Sequence, residues 1–381
     1  MTKCPRCFSQ LPPDDFAWTE SDPDRTTRNA TASEYSGADV QTGEVHRTRR
    51  PPNSGPEWSP VPSDYGKAVV ELCPICHYEL PPHWRWGDAT CIAMAGARYT
   101  GKTVYIAVLV KQLEKYVERF DRELVPADAT TQSRYASIYE QPLFAERGIL
   151  GATPPAEIGA HPPPLIFNPG FWGGQQRYLV IRDVAGEDLE NVATGGRAWD
   201  FFGLADAVLF MFDPLRVDEI SDQLRDLVPD AARLGGDPRE VLRTVMRLMG
   251  GGMPRLAVIL SKFDALQALS HVRQSSWGRI MSHAGAAFNR DPSLVDVRYD
   301  EVDGALLDAE VRSLLQLLHA GPMLRTMRNP VTGHQYEHRF FAVSALGESP
   351  VGERLHRNGI SPFRCMDPVR WVLAERSVLQ D

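Results

Sequence analysis

Nine residues, Ala95–Gly96–Ala97–Arg98–Tyr99–Thr100–Gly101–Lys102–Thr103, constrain this chain more than any other stretch. They fit G-x-x-x-x-G-K-[ST], a phosphate-binding loop that works only between a strand and a helix. The apolar run Cys91–Ala95 leads in, and an amphipathic pattern from Val104 to about Phe120 follows. Glycines let the backbone wrap so that its N–H groups converge on phosphate oxygens, and a helix N-terminus adds partial positive charge. Lys102 would reach the β- and γ-phosphates, and the Thr103 hydroxyl would ligate Mg²⁺. A chance match is the competing reading in a chain with 30 glycines. The strand and helix patterns on either side argue against it.

Strands and helices alternate on both sides of this loop. A helix is expected over 131–148, and paired strands at Leu165–Phe167 and Tyr178–Arg182 with a glycine-rich connection. A buried strand follows at Ala207–Phe212, then helical patterns at Val217–Leu227 and Pro238–Leu248. Strands at Leu256–Leu260 and Arg339–Val343 flank a helix at Ala305–Leu318, and a helix near Pro368–Val378 closes the chain. Such alternation predicts an α/β domain over 89–381, a mostly parallel sheet covered on both faces. Its motifs would lie at the carboxyl edge.

Two of those strands end in further motifs. Asp183–Val184–Ala185–Gly186 follows the first, where an acidic residue can hold Mg²⁺ and the glycine amide can contact a γ-phosphate. Ser261–Lys262–Phe263–Asp264 follows the second. The Asp264 carboxylate can accept the ring N–H and exocyclic amine of guanine, with the Lys262 stem across the base. Adenine lacks that donor pair, so the site would discriminate against ATP. Ser344–Ala345–Leu346, after the last strand, would bring backbone to the guanine O6.

The amino-terminal residues 1–88 read differently. Cys4–Pro5–Arg6–Cys7 and Cys73–Pro74–Ile75–Cys76 each begin the pattern C-P-x-C-x-x-x-L-P-P. Two such knuckles supply four thiolates, enough to close a tetrahedral structural Zn²⁺ site in a zinc ribbon. No βαβ pattern surrounds either pair, which argues against a redox role. His77 and His83 are read as flanking residues, and Cys91 and Cys365 as packed thiols. Between the knuckles, about 14–66 is rich in Pro, Ser, Thr, Asp and Arg and poor in aliphatic residues, so a flexible loop is expected there. Trp84 and Trp86 are expected to pack the ribbon on the main domain, with a small exposed aromatic contact site as the alternative.

Composition excludes little beyond this. Hydrophobic content of 43% and charged content of 24% are ordinary for a globular protein. A formal charge of −8 disfavours a nucleic-acid role for the ribbon. No apolar run is long enough to span a bilayer and no secretory leader is visible, so a cytoplasmic protein is expected.

These motifs, in this order, resemble the TRAFAC class of P-loop GTPases, with its Ras-like sheet. Gly96–Thr103 matches the family's first motif, Asp183–Gly186 its third, Ser261–Asp264 its fourth and Ser344–Leu346 its fifth. With the cysteine ribbon, the chain looks most like actinobacterial "double-GTPase" proteins of predicted conflict and signalling systems. The resemblance implies GTP or GDP with Mg²⁺, held by Gly96, Ala97, Arg98, Tyr99, Thr100, Gly101, Lys102 and Thr103 and by the later motifs. It also implies a threonine as a further Mg²⁺ ligand, for which Thr153 is the choice and Thr130 and Thr131 the alternatives. Lys102, Glu187 and Arg98 would be the catalytic groups, Arg98 as an arginine finger. Two departures stand out. Ser261 replaces the family's Asn or Thr, and Glu187 stands where Ras-like members have the Gln that orients water. The leading expectation is a GTP-hydrolysing switch acting on a protein partner, a second GTPase or an effector complex. The alternative, favoured by Glu187, is a nucleotide-binding scaffold or assembly module with little or no hydrolysis.

Overall fold

A computed structural model describes the chain apart from residues 1, 23, 56–57, 64, 149, 151–160, 193–195, 219, 222–236, 272–275, 295–297, 326, 349–354, 377 and 379–381. The two cysteine knuckles are the same turn used twice. Phe8 N donates to Cys4 O at 3.0 Å and His77 N to Cys73 O at 2.9 Å. Phe8 and His77, one place after the second cysteine of each pair, both take left-handed backbone, with φ of 59° and 53°.

The segment between them corrects the expectation of a flexible loop over 14–66. β1 (Asp15–Glu20), β2 (Thr27–Arg28), a helix α1 (Ala30–Ser36), β3 (Gln41–Thr42), β4 (His46–Arg49) and β5 (Val69–Leu72) build secondary structure here. β1 is the centre of an antiparallel sheet ordered β4-β1-β5, and β2 pairs with β3. Asn29 caps α1 by accepting from Ala32 N at 3.0 Å. Aromatic rings supply the burial that aliphatic residues do not. Trp18 stacks on His46 at 4.4 Å and meets Tyr65 edge-on at 4.8 Å. Phe16 packs on Trp58 at 5.1 Å, with the Arg85 guanidinium 4.1 Å over its ring.

Among the described residues the main sheet has seven strands. β6 (Asp88–Ala95) leads to α2 (Lys102–Glu118), then β7 (Val125–Pro126) and α3 (Ala129–Arg134). The hairpin β8 (Leu165–Trp172) and β9 (Gln175–Asp183) follows, then α4 (Gly186–Asn191). β10 (Ala207–Phe212), β11 (Arg255–Leu260) and β12 (His338–Ala342) complete it. The spatial order is β12-β11-β10-β6-β9-β8-β7. The five strands from β12 to β9 are parallel, while β8 and β7 run antiparallel to their neighbours. Every residue of β10 is buried. Successive side chains point to opposite faces, so both faces are covered there. The chain fills one side of β6 with β9, β8 and β7 before adding β10, β11 and β12 on the other. The carboxyl end of β6 is therefore a topological switch point, where open α/β sheets bind ligands.

Expected elements fall close to observed ones, including the helices Pro238–Leu248, Glu301–Leu317 and Asp367–Glu375. The expected helix at 131–148 departs from α-geometry: after α3 it continues as a π-helix over Tyr135–Ala145, with Pro142 inside. Proline lacks the N–H that an α-helical ladder needs there. The expected helix at Val217–Leu227 runs into residues outside the described part. Among the described residues, no helix is long and apolar enough to cross a membrane.

Trp84 is fully buried and stacks on Tyr178 of β9 at 4.4 Å, with its indole N–H donating to Lys3 O at 2.8 Å. Trp86, expected beside it, is instead 80% exposed. Lys3 Nζ reaches Asp206 at 2.8 Å, and Phe8 meets Phe201 edge-on at 5.6 Å. His161 joins the same junction, its backbone N–H on Ser36 O at 3.0 Å and its ring 4.3 Å from Trp199.

Burial, with the Arg182 and Arg6 charges nearby, pushes the His161 imidazole down to about 3. An unfolded histidine titrates near 6.5. Between those values the unfolded chain binds more protons, so stability rises with pH and is fully present above about pH 6.5. Acidifying from pH 7 to 5 is expected to remove about 2 kcal/mol through this group. Urea unfolding at the two pH values measures it, and His161→Gln should flatten the dependence.

Candidate functional site

The loop Gly96–Thr103 turns at the carboxyl end of β6 for a steric reason. A Cβ at Gly96 would lie 2.1 Å from Met211 O of β10, and its φ of 145° suits only glycine. Gly101, at φ 85°, caps α2, and Tyr99 is also left-handed at 61°. Lys102, buried in the first turn, donates to Gly96 O at 2.9 Å and Ala97 O at 3.0 Å. Thr100 Oγ1 donates to Ala97 O at 3.0 Å. The loop thus closes around its own lysine. Burial pushes the Lys102 ammonium down, and the Asp183 and Glu190 carboxylates work against that shift. Thr103 is buried in the same turn.

Asp183 ends β9 beside Met94 of β6 and is buried. Tyr139 donates to its Oδ2 at 3.4 Å. Gly186 packs directly on the loop backbone, where a Cβ would lie 2.4 Å from Arg98 N and 2.5 Å from Ala97 C. From the short helix α4, Glu187 accepts from Arg98 Nη1 at 3.2 Å and Glu190 accepts from Arg98 N at 3.0 Å. Arg98, expected as an arginine finger, is therefore held by its own chain's carboxylates. Thr153 lies outside the described residues. Thr131 is committed elsewhere: its N–H donates to Asp128 at 2.6 Å and its Oγ1 accepts from Ile166 N at 3.0 Å. Thr130 is exposed on α3.

On the other side of β6, Ser261 donates to Phe212 O at 2.9 Å. Lys262 takes left-handed backbone, φ 51°, and its ammonium pairs with Asp213 at 3.0 Å. Asp264 opens the helix Phe263–Gln267 and accepts from Ser344 Oγ at 2.6 Å. Ser344 Oγ in turn accepts from Gly347 N at 3.0 Å. Ala345 and Leu346 continue this turn half-buried. Tyr99, Arg216, Asp213 and Lys262 link the two halves. The Arg216 guanidinium lies 5.8 Å from the Tyr99 ring and 3.7 Å from Asp213. Sequence reasoning passed over Glu190, Tyr139 and Asp213. Asp213 had a readable signal, an acid directly after a buried strand; Glu190 had none, because only the fold brings it to the loop.

The four knuckle cysteines meet at the junction of ribbon and sheet, all buried, with their Sγ atoms within 4.8 Å of one another. Cys4 Sγ is 3.5 Å from Cys76 Sγ, and Cys7 Sγ is 3.9 Å from Cys73 Sγ. Four sulfurs each about 2.3 Å from one tetrahedral Zn²⁺ stand about 3.8 Å apart, so the set fits that ion. Arg6 N and Ile75 N point at Cys4 Sγ and Cys73 Sγ, each at 3.4 Å, which suits sulfur carrying negative charge. Burial pushes the Cys4 and Cys76 thiols up, whereas thiol hydrogen bonds, first from Cys4, hold Cys7 down. Arg182 of β9 donates to Arg6 O at 2.5 Å, with its guanidinium 3.6 Å over Phe201. Burial and the nearby Arg6 charge push Arg182 down to about 9.

No protein-family model matches the chain. A protein of Mycolicibacterium smegmatis (strain ATCC 700084 / mc(2)155), named "Putative ESX-1 scaffolding and assembly protein SaeC", is 50% identical over 388 residues, covering 100% of both chains. That name describes a scaffold and assembly protein rather than an enzyme. It overturns the reading of the chain as a TRAFAC or double-GTPase protein, and with it GTP hydrolysis and a conflict-system role. The physical reason for the misreading is that a glycine-rich loop with its flanking acids describes an anion-binding geometry and says nothing of turnover. With half of all positions identical from end to end, the protein belongs to the same family as this ESX-1 scaffolding and assembly protein.

Proposed function

We propose that the protein is a scaffolding and assembly module of an ESX-1 system, acting through protein partners, with a guanine nucleotide and Mg²⁺ held as a bound component rather than turned over. The observation that carries the scaffold reading is the full-length similarity to the M. smegmatis relative. The cleft supports the ligand. Backbone N–H groups and Lys102 would hold phosphates, Thr103 and Asp183 would hold Mg²⁺, and Asp264, oriented by Ser344, would accept from guanine. Zn²⁺ on Cys4, Cys7, Cys73 and Cys76 would fasten the ribbon to the sheet that carries the cleft. Glu187 on Arg98 favours retention over hydrolysis, because the group that would orient water is an anion already engaged.

M. smegmatis cells lacking the relative and supplied with this chain test the assignment. Recovery of the ESX-1 assembly on native gels is expected. A chain expressed at the relative's level that restores no assembly would overturn the scaffold reading.

A further inference from the structure

The geometry points to Glu190 as a built-in substitute for a terminal phosphate, which makes the cleft a nucleoside-diphosphate site and excludes triphosphates; this rests on the nucleotide reading above. The Glu190 carboxylate accepts from Arg98 N at 3.0 Å, an amide of the loop whose N–H groups would hold phosphate. Carboxylate and phosphate are both anions, and a charge-assisted bond to a backbone N–H serves either.

The position along the loop decides which phosphate is displaced. Arg98 lies on the strand side, away from the α2 N-terminus, and the Glu190 charge acts on the Lys102 ammonium. A lysine in this loop reaches the β- and γ-phosphates, so Glu190 stands at the outer end of the phosphate track. Glu187 adds a second carboxylate 3.2 Å from Arg98 Nη1, removing the cation that would meet a γ-phosphate. Gly186 is in backbone contact with Ala97 and Arg98, and Leu189 is buried, so the α4 main chain that carries both acids is anchored beside the loop. A triphosphate would place its most charged group against two carboxylates in a partly buried cleft, where charges are poorly screened. A diphosphate ends short of them.

Isothermal titration with Mg²⁺ and either GDP or the βγ-imido analogue of GTP tests this on wild type, Glu190→Gln and Glu187→Gln. Wild type should bind GDP at least about tenfold more tightly than the triphosphate. Glu190→Gln, nearly isosteric, should narrow the ratio to about threefold by gaining triphosphate affinity. Glu187→Gln, which keeps the amide contact, should narrow it less. Equal affinities in wild type, or an unchanged ratio in Glu190→Gln, overturn the proposal. If neither nucleotide binds folded wild type or Glu190→Gln, the nucleotide reading itself fails and the phosphate substitute falls with it.

Discussion

Replacing Cys73 with serine is expected to strip the protein of one bound Zn²⁺ and to release the knuckles from the sheet. Zinc held by small all-thiolate and mixed sites contributes about 10–16 kcal/mol of apparent binding free energy at neutral pH, and that energy doubles as folding energy. The four sulfurs here are buried, and Cys7 and Cys73 are separated by 66 residues of chain. The metal would therefore join distant segments. Without it, the junction rests on contacts such as Trp84 on Tyr178, Phe8 on Phe201, Lys3 on Asp206 and His161 on Ser36. They would have to hold the ribbon against the mutual repulsion of Arg6 and Arg182, which the thiolates offset. Atomic absorption should give one zinc per wild-type chain and none in Cys73→Ser. Limited proteolysis should then cut the variant within its first eighty residues. A wild-type protein free of zinc, or a variant with unchanged melting and protease resistance, would remove the metal from the argument.

The second large effect is expected at Arg364. Its side chain is fully buried, at left-handed φ of 51°, and bridges Asp303 at 2.9 Å and Asp367 at 2.5 Å. It also donates to the carbonyl oxygens of Ala287 and Arg290. Arg364→Met leaves the buried Asp367 carboxylate without its paired cation, while Asp303 keeps Arg290 at 2.8 Å, and breaking a buried pair from one side costs about 3–5 kcal/mol. Guanidinium unfolding should register that loss. Adding Asp367→Asn should recover most of it, because the cost lies in stranded charge rather than lost volume. A single variant as stable as wild type contradicts this account. The position also bears on the cleft, since the adjacent Phe363 and Cys365 hold the main chain of Ser344, which orients Asp264.

The parallel strands are legible in the sequence because they are short, nearly unbroken apolar runs such as Ala207–Phe212, the signature of strands buried on both faces. The knuckles are legible because their pattern occurs twice. The fold of 14–66 was not. Its core is a set of aromatic pairs, Trp18 with His46 and Phe16 with Trp58, whose members lie far apart in the sequence. The π-helical turn escaped because proline marks an interruption without saying whether the helix ends or widens. The cleft was half readable. Local motifs identify Lys102, Asp183 and Asp264, whereas the grip of Glu187 and Glu190 on Arg98 exists only once α4 folds back on the loop. On the proposed reading that grip would separate a retained ligand from a hydrolysed one, and the loop motif alone does not carry it.

The order of strands governs how the sheet can assemble as the chain is made. β10, β11 and β12 join one side of β6 in the order they are synthesised, each beside the one before. No strand waits for a later one to fill a gap on that side, which keeps unpaired edges short-lived and the contacts sequential. The last clasp comes from the far end. Arg376 pairs with Asp88, the first residue of β6, at 2.9 Å and with Asp206, just before β10, at 2.7 Å. A nascent chain halted before that arginine leaves Asp88 with Arg177 and Asp206 with Lys3. It lacks the side chain that ties the two acids together at the root of the sheet. Premature products would thus lack the bridge between the starts of β6 and β10.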